Sequence, residues 1–256
     1  MANVKKTLKK IGRQIWELFK SSIPAGLMYF CAGTVLMMLT LKGDMKELKW
    51  DNTKLVWTIV CIVVAMAYNA LVTYAQGGSA YEMLVSGNMK RVSAADFGEG
   101  YKISSHKESK EYRTWKGFAC GAFMALTPII TGIIFGCNQA KIDEVLVAIL
   151  TESEAANVGT FFGIVMIACL LLSGWSLIPF FILNASGASI SYFIGCVFGI
   201  VPIVVTGVMY IVGAYGRRRK VIREQEIADR AAAAQTSKEK KINYGGLPGT
   251  KPKKRR

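Results

Sequence analysis

Residues 159–183 read GTFFGIVMIACLLLSGWSLIPFFIL, a stretch without a charged side chain. Four further stretches have the same character: 23–41, 55–75, 117–137 and 190–215. A charge-free apolar run of about 18 residues or more is long enough to cross the roughly 30 Å hydrocarbon layer of a bilayer as a helix. Because lipid offers the backbone no hydrogen-bond partner, these runs predict an all-α, polytopic helical membrane protein with five hydrophobic segments.

The rest of the chain divides into a short N-terminal segment, 1–22, and a basic tail, 216–256, around the transmembrane domain, 23–215. In the N-terminal segment, apolar residues recur at helical spacing from Val4 to Phe19, and basic residues lie mostly across from them: Lys5, Lys6, Lys9, Lys10 and Arg13. This pattern predicts a basic amphipathic helix in the headgroup region. The alternative is a signal that only sets orientation. Ser22 and Pro24 then predict the start of the first membrane helix.

Positive charge is concentrated at particular places along the chain. Residues 1–20 carry six Lys or Arg against one acid, 76–116 carry seven against five, and the tail carries fourteen against four. The 138–158 linker holds one lysine and four acids. Under the positive-inside rule, the N-terminus, the 76–116 loop and the tail are expected in the cytoplasm, and the protein is expected in the plasma membrane.

This orientation conflicts with the number of hydrophobic segments, because five crossings place the two basic ends on opposite sides. We therefore expect one segment not to cross. The best candidate is 159–183 with the linker that follows it, which is interrupted by Gly174, Pro179 and Gly187. A re-entrant segment is tolerated where it is buried in protein or faces water. The alternative is five true spans with one basic end translocated.

Local signals suggest where the other helices begin and end. Gly77 and Gly78 predict a break after the second segment, and Ser105 fits a capping box for a helix that runs through Tyr112 into the third segment. Residues 221–235 are compatible with a helix, and the chain beyond Thr236 is expected to be disordered. Aromatic residues near the ends of segments fit an interfacial belt: Trp50, Trp57, Tyr112, Trp115, Trp175 and Tyr192.

Glycines spaced four apart predict close helix packing within the chain or between copies, because they clear one helix face. The spacing occurs at Gly117/Gly121, Gly132/Gly136, Gly159/Gly163 and Gly195/Gly199. Gly121 and Gly195 are each followed seven residues later by a proline, Pro128 and Pro202. Matching kinks at these prolines would indicate an internal duplication, and chance agreement of two short apolar strings is the alternative.

The hydrophobic segments contain no ionisable Asp, Glu, Lys, Arg or His, which argues against a proton-coupled pump. Asn69 and Asn184 are expected to bond between helices, and the six cysteines to act as small packing residues. No nucleotide-binding, hydrolase or zinc-protease motif occurs, and His106 has no ligand partners at suitable spacing. We predict no catalytic site, no cofactor and no metal.

Three functions fit these observations. The first is a non-enzymatic accessory or assembly subunit for membrane transport or envelope function, with Lys5, Lys6, Lys9, Lys10, Arg13 and Arg217, Arg218, Arg219, Lys220 contacting anionic lipid headgroups. Its partners would be the bilayer and a second copy or another membrane subunit. The second is a small transporter or channel with a pathway near 174–187. The third is an insertase-like protein whose tail contacts ribosomal RNA. Oxa-type insertases resemble the chain in layout alone, since here the large basic loop follows the second segment.

Overall fold

In a computed structural model, residues 2–40, 51–96, 110–151 and 159–242 are described, and they form helices and turns with no strand. The helices are α1 (Ala2–Thr40), α2 (Asn52–Asp96), α3 (Thr114–Cys137), α4 (Gln139–Thr151), α5 (Thr160–Ala185), α6 (Ile194–Val197) and α7 (Ile200–Ile242). Five of them, α1, α2, α3, α5 and α7, are long and apolar enough to cross a membrane. The prediction of an all-helical protein with five segments long and apolar enough to span a membrane is confirmed.

Three of these helices are longer than the sequence predicts. The expected start at Ser22 is wrong, since its hydroxyl donates to the Phe19 carbonyl inside a continuous α1 (2.7 Å). The break expected at Gly77 is also wrong, because α2 continues to Asp96. Helix α7 extends to Ile242, past Gln235, where the helix-compatible stretch of the sequence ends; disorder of the tail stays a prediction, and 243–256 lie outside the described residues.

Two other predicted helices are interrupted. A helix through Tyr112 into the third segment is wrong, because Arg113 is extended and α3 begins at Thr114; Ser105 lies outside the described residues. The segment 190–215 begins with turns and the four-residue α6, so Gly195 and Gly199 do not share one continuous helix. Pro202 lies in the first turn of α7, where no intrahelical hydrogen bond is lost, so the kink expected there is wrong.

The contacts between helices define their relative directions. Ser21 and Gly26 of α1 contact Cys120 and Met124 of α3, so these two helices run parallel. Ser21 and Tyr29 of α1 bond Gln76 and Asn69 of α2, so α2 is antiparallel to α1. Helix α7 runs parallel to α2, with Thr206 at Asn69 and Arg217 at Glu82. It runs antiparallel to α3, with Gly117 at Tyr210 and Gly121 at Pro202. The end of the bundle that holds Ser21, Gln76, Cys120 and Tyr210 is called the basic end below.

Helix α5 is broken at Ser173, whose φ of −134° and ψ of 25° are not helical. Before the break, residues 160–168 are exposed or half-buried; after it, residues 173–178 are all buried. The second half packs against α1, where Gly174 meets the Gly33 backbone and Trp175 meets the Tyr29 ring (centroids 4.8 Å apart). Trp175 and Tyr192 are 1% and 0% exposed, so the interfacial position predicted for these two aromatics is wrong.

Both ends of α5 lie near the end opposite the basic end. Phe162, in its first turn, lies 5.9 Å from the Lys141 ammonium, which belongs to the start of α4. At its other end, Asn184 accepts from the Ile190 N–H (2.8 Å), and the Ile190 carbonyl accepts from Gln139 (3.4 Å). Asn184 therefore stabilises the turn between α5 and α6, and the interhelical bond expected of it is not found there.

Candidate functional site

A cavity of about 200 Å³ lies at the basic end, between α1, α2, α3 and α7, and several polar side chains reach its largely apolar lining. Helices α1 and α2 supply most of its wall, the entry to α3 supplies two lysines, and α7 supplies one tyrosine. The lining residues are Glu17, Leu18, Ser21, Gln76, Ser79, Ala80, Met83, Lys110, Lys116, Cys120 and Tyr210. Polar groups therefore converge where the apolar segments end.

Close packing of α2 on α7 positions the Tyr210 side of this cavity. A Cβ on Gly77 would overlap the Tyr210 carbonyl oxygen, and a Cβ on Gly213 would overlap the Tyr74 carbonyl oxygen. The two helices thus touch backbone to backbone, which only glycine permits at this separation. Glu82 and Arg217 then form an ion pair one to two turns further along both helices (2.5 Å). This contact region, Tyr74–Glu82 against Tyr210–Arg217, fixes the two helices side by side.

Hydrogen bonds tie α1 to α2 and α3 at the cavity. Gln76 donates to the Ser21 carbonyl (2.9 Å), and the Ser21 hydroxyl lies 3.0 Å from the Cys120 sulfur. The same hydroxyl donates to the Leu18 carbonyl (2.8 Å). Because these groups lie at the edges of the charge-free segments, their mutual bonding offsets the cost of removing them from water.

Glu111 organises the lysine side of the cavity. The residue is 6% exposed, and its carboxylate accepts two hydrogen bonds from Arg91 (2.7 and 3.0 Å). Its main-chain carbonyl accepts from the Lys116 ammonium (2.5 Å). Since Arg91 belongs to α2 and Lys116 to α3, one residue connects the long α2 helix to the entry of the next span.

Three tyrosines close this region from the other side. Tyr112 stacks on Tyr210 (centroids 5.4 Å apart, planes at 13°) and meets Tyr81 edge to face (6.3 Å). Residues 111–113 are not helical, and the Tyr112 N–H donates to the Ala80 carbonyl of α2 (3.1 Å). Burial raises the pKa of the Tyr112 phenol, so this hydroxyl stays neutral at physiological pH.

The basic residues predicted from the sequence lie at the same end of the bundle, but outside the cavity. Lys9 and Arg13 are exposed on α1, and Arg218, Arg219 and Lys220 are exposed on α7. Arg217 is half-buried and paired with Glu82. Lys5, Lys6 and Lys10 belong to α1, and their side chains lie outside what the structure describes.

The glycines predicted to pack helices fall into two groups. One face of α3 meets α7, α6 and Phe193, and it carries Gly117, Gly121, Gly132 and Gly136. Gly195 contacts Leu177, and Gly199 contacts Ile129. Among the described residues, no atom lies within 4 Å of the position a Cβ would take on Gly159 or Gly163. Packing by this last pair stays a prediction.

Asn69 acts between helices, as its position in the sequence predicts. It is fully buried and donates to the Tyr29 hydroxyl (3.1 Å) and the Thr206 hydroxyl (3.2 Å), joining α1, α2 and α7.

Sequence reasoning did not identify three residues of this region: Glu111, Lys116 and Gln76. The only signal for them is that polar residues flank the charge-free runs, and such residues have many other uses.

These features define a helical integral membrane protein with a cavity at one end of its bundle. No protein-family model, no curated protein and no solved structure matches the chain. Its function is therefore inferred from its own residues.

Proposed function

We propose that the protein is a non-enzymatic accessory or assembly subunit, with its basic end in the cytoplasm. The observation that carries this proposal is that three helices continue past the cavity at that end. They are α1 before Glu17, α2 after Met83 and α7 after Arg217, called the three extensions below. At 1.5 Å per residue, the 25 residues of α7 after Arg217 span about 37 Å, which is longer than the hydrocarbon layer is thick.

The helix directions support a topology of four crossings. Helices α1 and α3 run one way, and α2 and α7 run the other way, so these four alone bring both basic ends to one side. In this topology α5 enters and returns on the opposite face. Its ends near Lys141 and Ile190 support that course, as does the burial of its second half, which shields its backbone from lipid.

The exposed side chains of the extensions suit partners that carry negative charge. On α1, Leu8, Ile11 and Ile15 are about half exposed, beside the exposed Lys9 and Arg13. On α7, every described residue of 218–235 is exposed except Val221, which is half-buried. A Lys or Arg near an anionic leaflet contributes about 1 kcal/mol, so the exposed charges nearest the bundle, Lys9, Arg13, Arg218 and Arg219, would hold anionic headgroups and would attract an acidic surface of a protein partner.

A small transporter or channel is the second candidate, and one observation favours it. The Ser173 hydroxyl is fully buried at the break in α5 and has no hydrogen-bond partner among the described residues. Broken helices with polar groups at their ends form binding sites in many transporters. The accessory role is preferred over the transporter, because Trp175, Leu177 and Ile178 next to this hydroxyl are packed in the core. These side chains fill the beginning of the pathway predicted at 174–187. The insertase-like alternative depends on the tail residues 251–256, which lie outside the described residues.

The accessory role predicts a complex that depends on the exposed charges. Extraction of native membranes with a mild detergent, followed by native electrophoresis, should show the protein in an assembly larger than its own 28.0 kDa. The fourfold variant Lys9→Glu, Arg13→Glu, Arg218→Glu, Arg219→Glu should reduce that assembly at unchanged membrane content, because each change reverses a charge on an extension. The variant Glu224→Gln, Glu226→Gln is the control and should retain it. A wild-type protein that migrates alone, or that supports solute flux in proteoliposomes, would contradict the proposal.

A further inference from the structure

A second pocket at the basic end opens to the outside of the bundle and is lined by three tyrosines. It has a volume of about 220 Å³ and lies between α2, the entry to α3 and α7. Tyr81, Tyr112 and Tyr215 line it, with Arg218 at its charged edge and Ile211 at its apolar edge, and it is called the tyrosine pocket below. This volume is below the roughly 300–1,000 Å³ that encloses a drug-sized ligand, so the pocket suits a small group.

The lining of the tyrosine pocket changes in polarity along α7. Ile211, Ala214 and Arg218 lie on one side of this helix, since they are spaced three and four residues apart. At 1.5 Å per residue, about 10 Å separates the apolar Ile211 from the basic Arg218. The charge-free segment of α7 ends between them, at Tyr215. The pocket therefore lies where the apolar segment gives way to charge, which is the depth of lipid headgroups in a bilayer.

Arg218 gives the pocket a positive charge that a ligand can reach. It is exposed, and among the described residues no carboxylate forms an ion pair with it. The two acidic residues adjacent in sequence to lining tyrosines are already engaged: Glu82 pairs with Arg217, and Glu111 pairs with Arg91. A guanidinium group binds phosphate oxygens through parallel N–H bonds, so Arg218 suits a phosphodiester.

The tyrosine rings suit a group of the opposite charge. The Tyr81 and Tyr112 rings meet at 71° with centroids 6.3 Å apart, so they form a corner. Tyr215 lines the same pocket and is 57% exposed. The face of an aromatic ring attracts a cation within about 6 Å, and choline-type ammonium groups are recognised in this way. The described lining includes no carboxylate, so an ammonium would be held by the rings and the phenol oxygens.

We infer that the tyrosine pocket binds the zwitterionic headgroup of a phospholipid, with its phosphodiester at Arg218 and its ammonium against the tyrosine rings. A short ethylene bridge joins these two charges in such headgroups, so one small pocket accommodates both. The acyl chains would continue past Ile211 toward Val208 and Val204, which are exposed on the same side of α7. The other exposed bases of the extensions attract anionic headgroups by charge alone, and the site does not depend on the accessory role.

Isothermal titration of the full chain in a nonionic detergent tests the inference. The ligands are dihexanoyl phosphatidylcholine, dihexanoyl phosphatidylethanolamine, dihexanoyl phosphatidylglycerol and glycerophosphocholine, which is the choline headgroup without acyl chains. The two zwitterionic lipids should bind saturably. Arg218→Gln should weaken their binding about tenfold, because it removes charged hydrogen bonds to the phosphodiester. Tyr215→Leu should weaken it about threefold, because it removes a ring face and keeps an apolar side chain.

Two variants outside the pocket serve as matched controls. Arg223→Gln and Tyr68→Leu replace exposed residues that do not line the pocket, and both should leave lipid binding unchanged. Arg218 and Tyr215 are exposed as well, so all four variants should retain the helical fold, which circular dichroism verifies.

The outcomes separate the possible ligands. Binding of the zwitterionic lipids that falls in both pocket variants and persists in both controls supports the inference. Phosphatidylglycerol that binds as tightly as these lipids, with no loss in Tyr215→Leu, would overturn the ammonium assignment. Glycerophosphocholine that binds as tightly as phosphatidylcholine would assign the pocket to a soluble phosphodiester and overturn the lipid assignment. Equal binding by all variants, or no binding, would overturn the site itself.

Discussion

Replacing Gly77 with alanine should strongly destabilise the basic end of the bundle. The added Cβ would overlap the Tyr210 carbonyl oxygen, which is backbone and therefore unable to rotate away. Overpacking of this kind costs typically about 1–3 kcal/mol, and a backbone neighbour places the cost at the upper end of that range. Unfolding of the detergent-solubilised protein, followed by circular dichroism against increasing sodium dodecyl sulfate, measures the loss.

The adjacent glycine provides a matched control. A Cβ on Gly78 would lie 3.6 Å from the Gly213 carbonyl oxygen, which is an ordinary contact distance. Gly78→Ala should therefore leave the unfolding midpoint close to wild type or raise it slightly, because alanine favours the helix. If Gly77→Ala and Gly78→Ala behave alike, the backbone contact between α2 and α7 does not exist as described.

Replacing Trp175 with alanine should cost about 3–5 kcal/mol in the same unfolding assay. Its side chain is 1% exposed and packs on the Tyr29 ring of α1 and the Phe198 ring before α7 (centroids 4.8 and 6.2 Å away). The loss comes from the cavity left behind, since the neighbouring aromatic rings are held by their own contacts.

Trp57 is the matched control for this prediction. It is 46% exposed on α2, where alanine removes few contacts within the protein. Trp57→Ala should shift the unfolding midpoint by a small fraction of the Trp175→Ala shift. Equal shifts would indicate that Trp175 faces lipid or headgroups, as its position near the end of a hydrophobic segment predicts.

The sequence was sufficient to predict the class of fold, because the absence of charge over about 20 residues is a direct consequence of the membrane as solvent. It also predicted the role of Asn69, since a polar amide at that depth requires partners on other helices. Helix ends were predicted less well. Gly77 is a helix breaker by propensity, yet in this bundle it lies inside α2 because its missing side chain admits the α7 backbone.

The cavity at the basic end was not predictable for a related reason. Glu17, Gln76 and Lys116 are far apart in the chain and carry no motif, and only the packing of α1, α2 and α3 brings them together. Trp175 and Tyr192 were misplaced because the belt rule assumes that each segment crosses the bilayer as a straight helix. The break at Ser173 and the turns after Gly187 move both aromatics into the core.

In the proposed topology, four helices cross the membrane and α5 does not. Labelling by a membrane-impermeant maleimide tests this topology most directly, in a background with the six native cysteines replaced. Single cysteines replace exposed residues at four places: Gly12, Ala140, Ser189 and Ala231. We expect Gly12→Cys and Ala231→Cys to react only from the cytoplasmic side, and Ala140→Cys and Ser189→Cys only from the other side. Reaction of Gly12→Cys and Ala231→Cys from opposite sides would contradict the proposed topology.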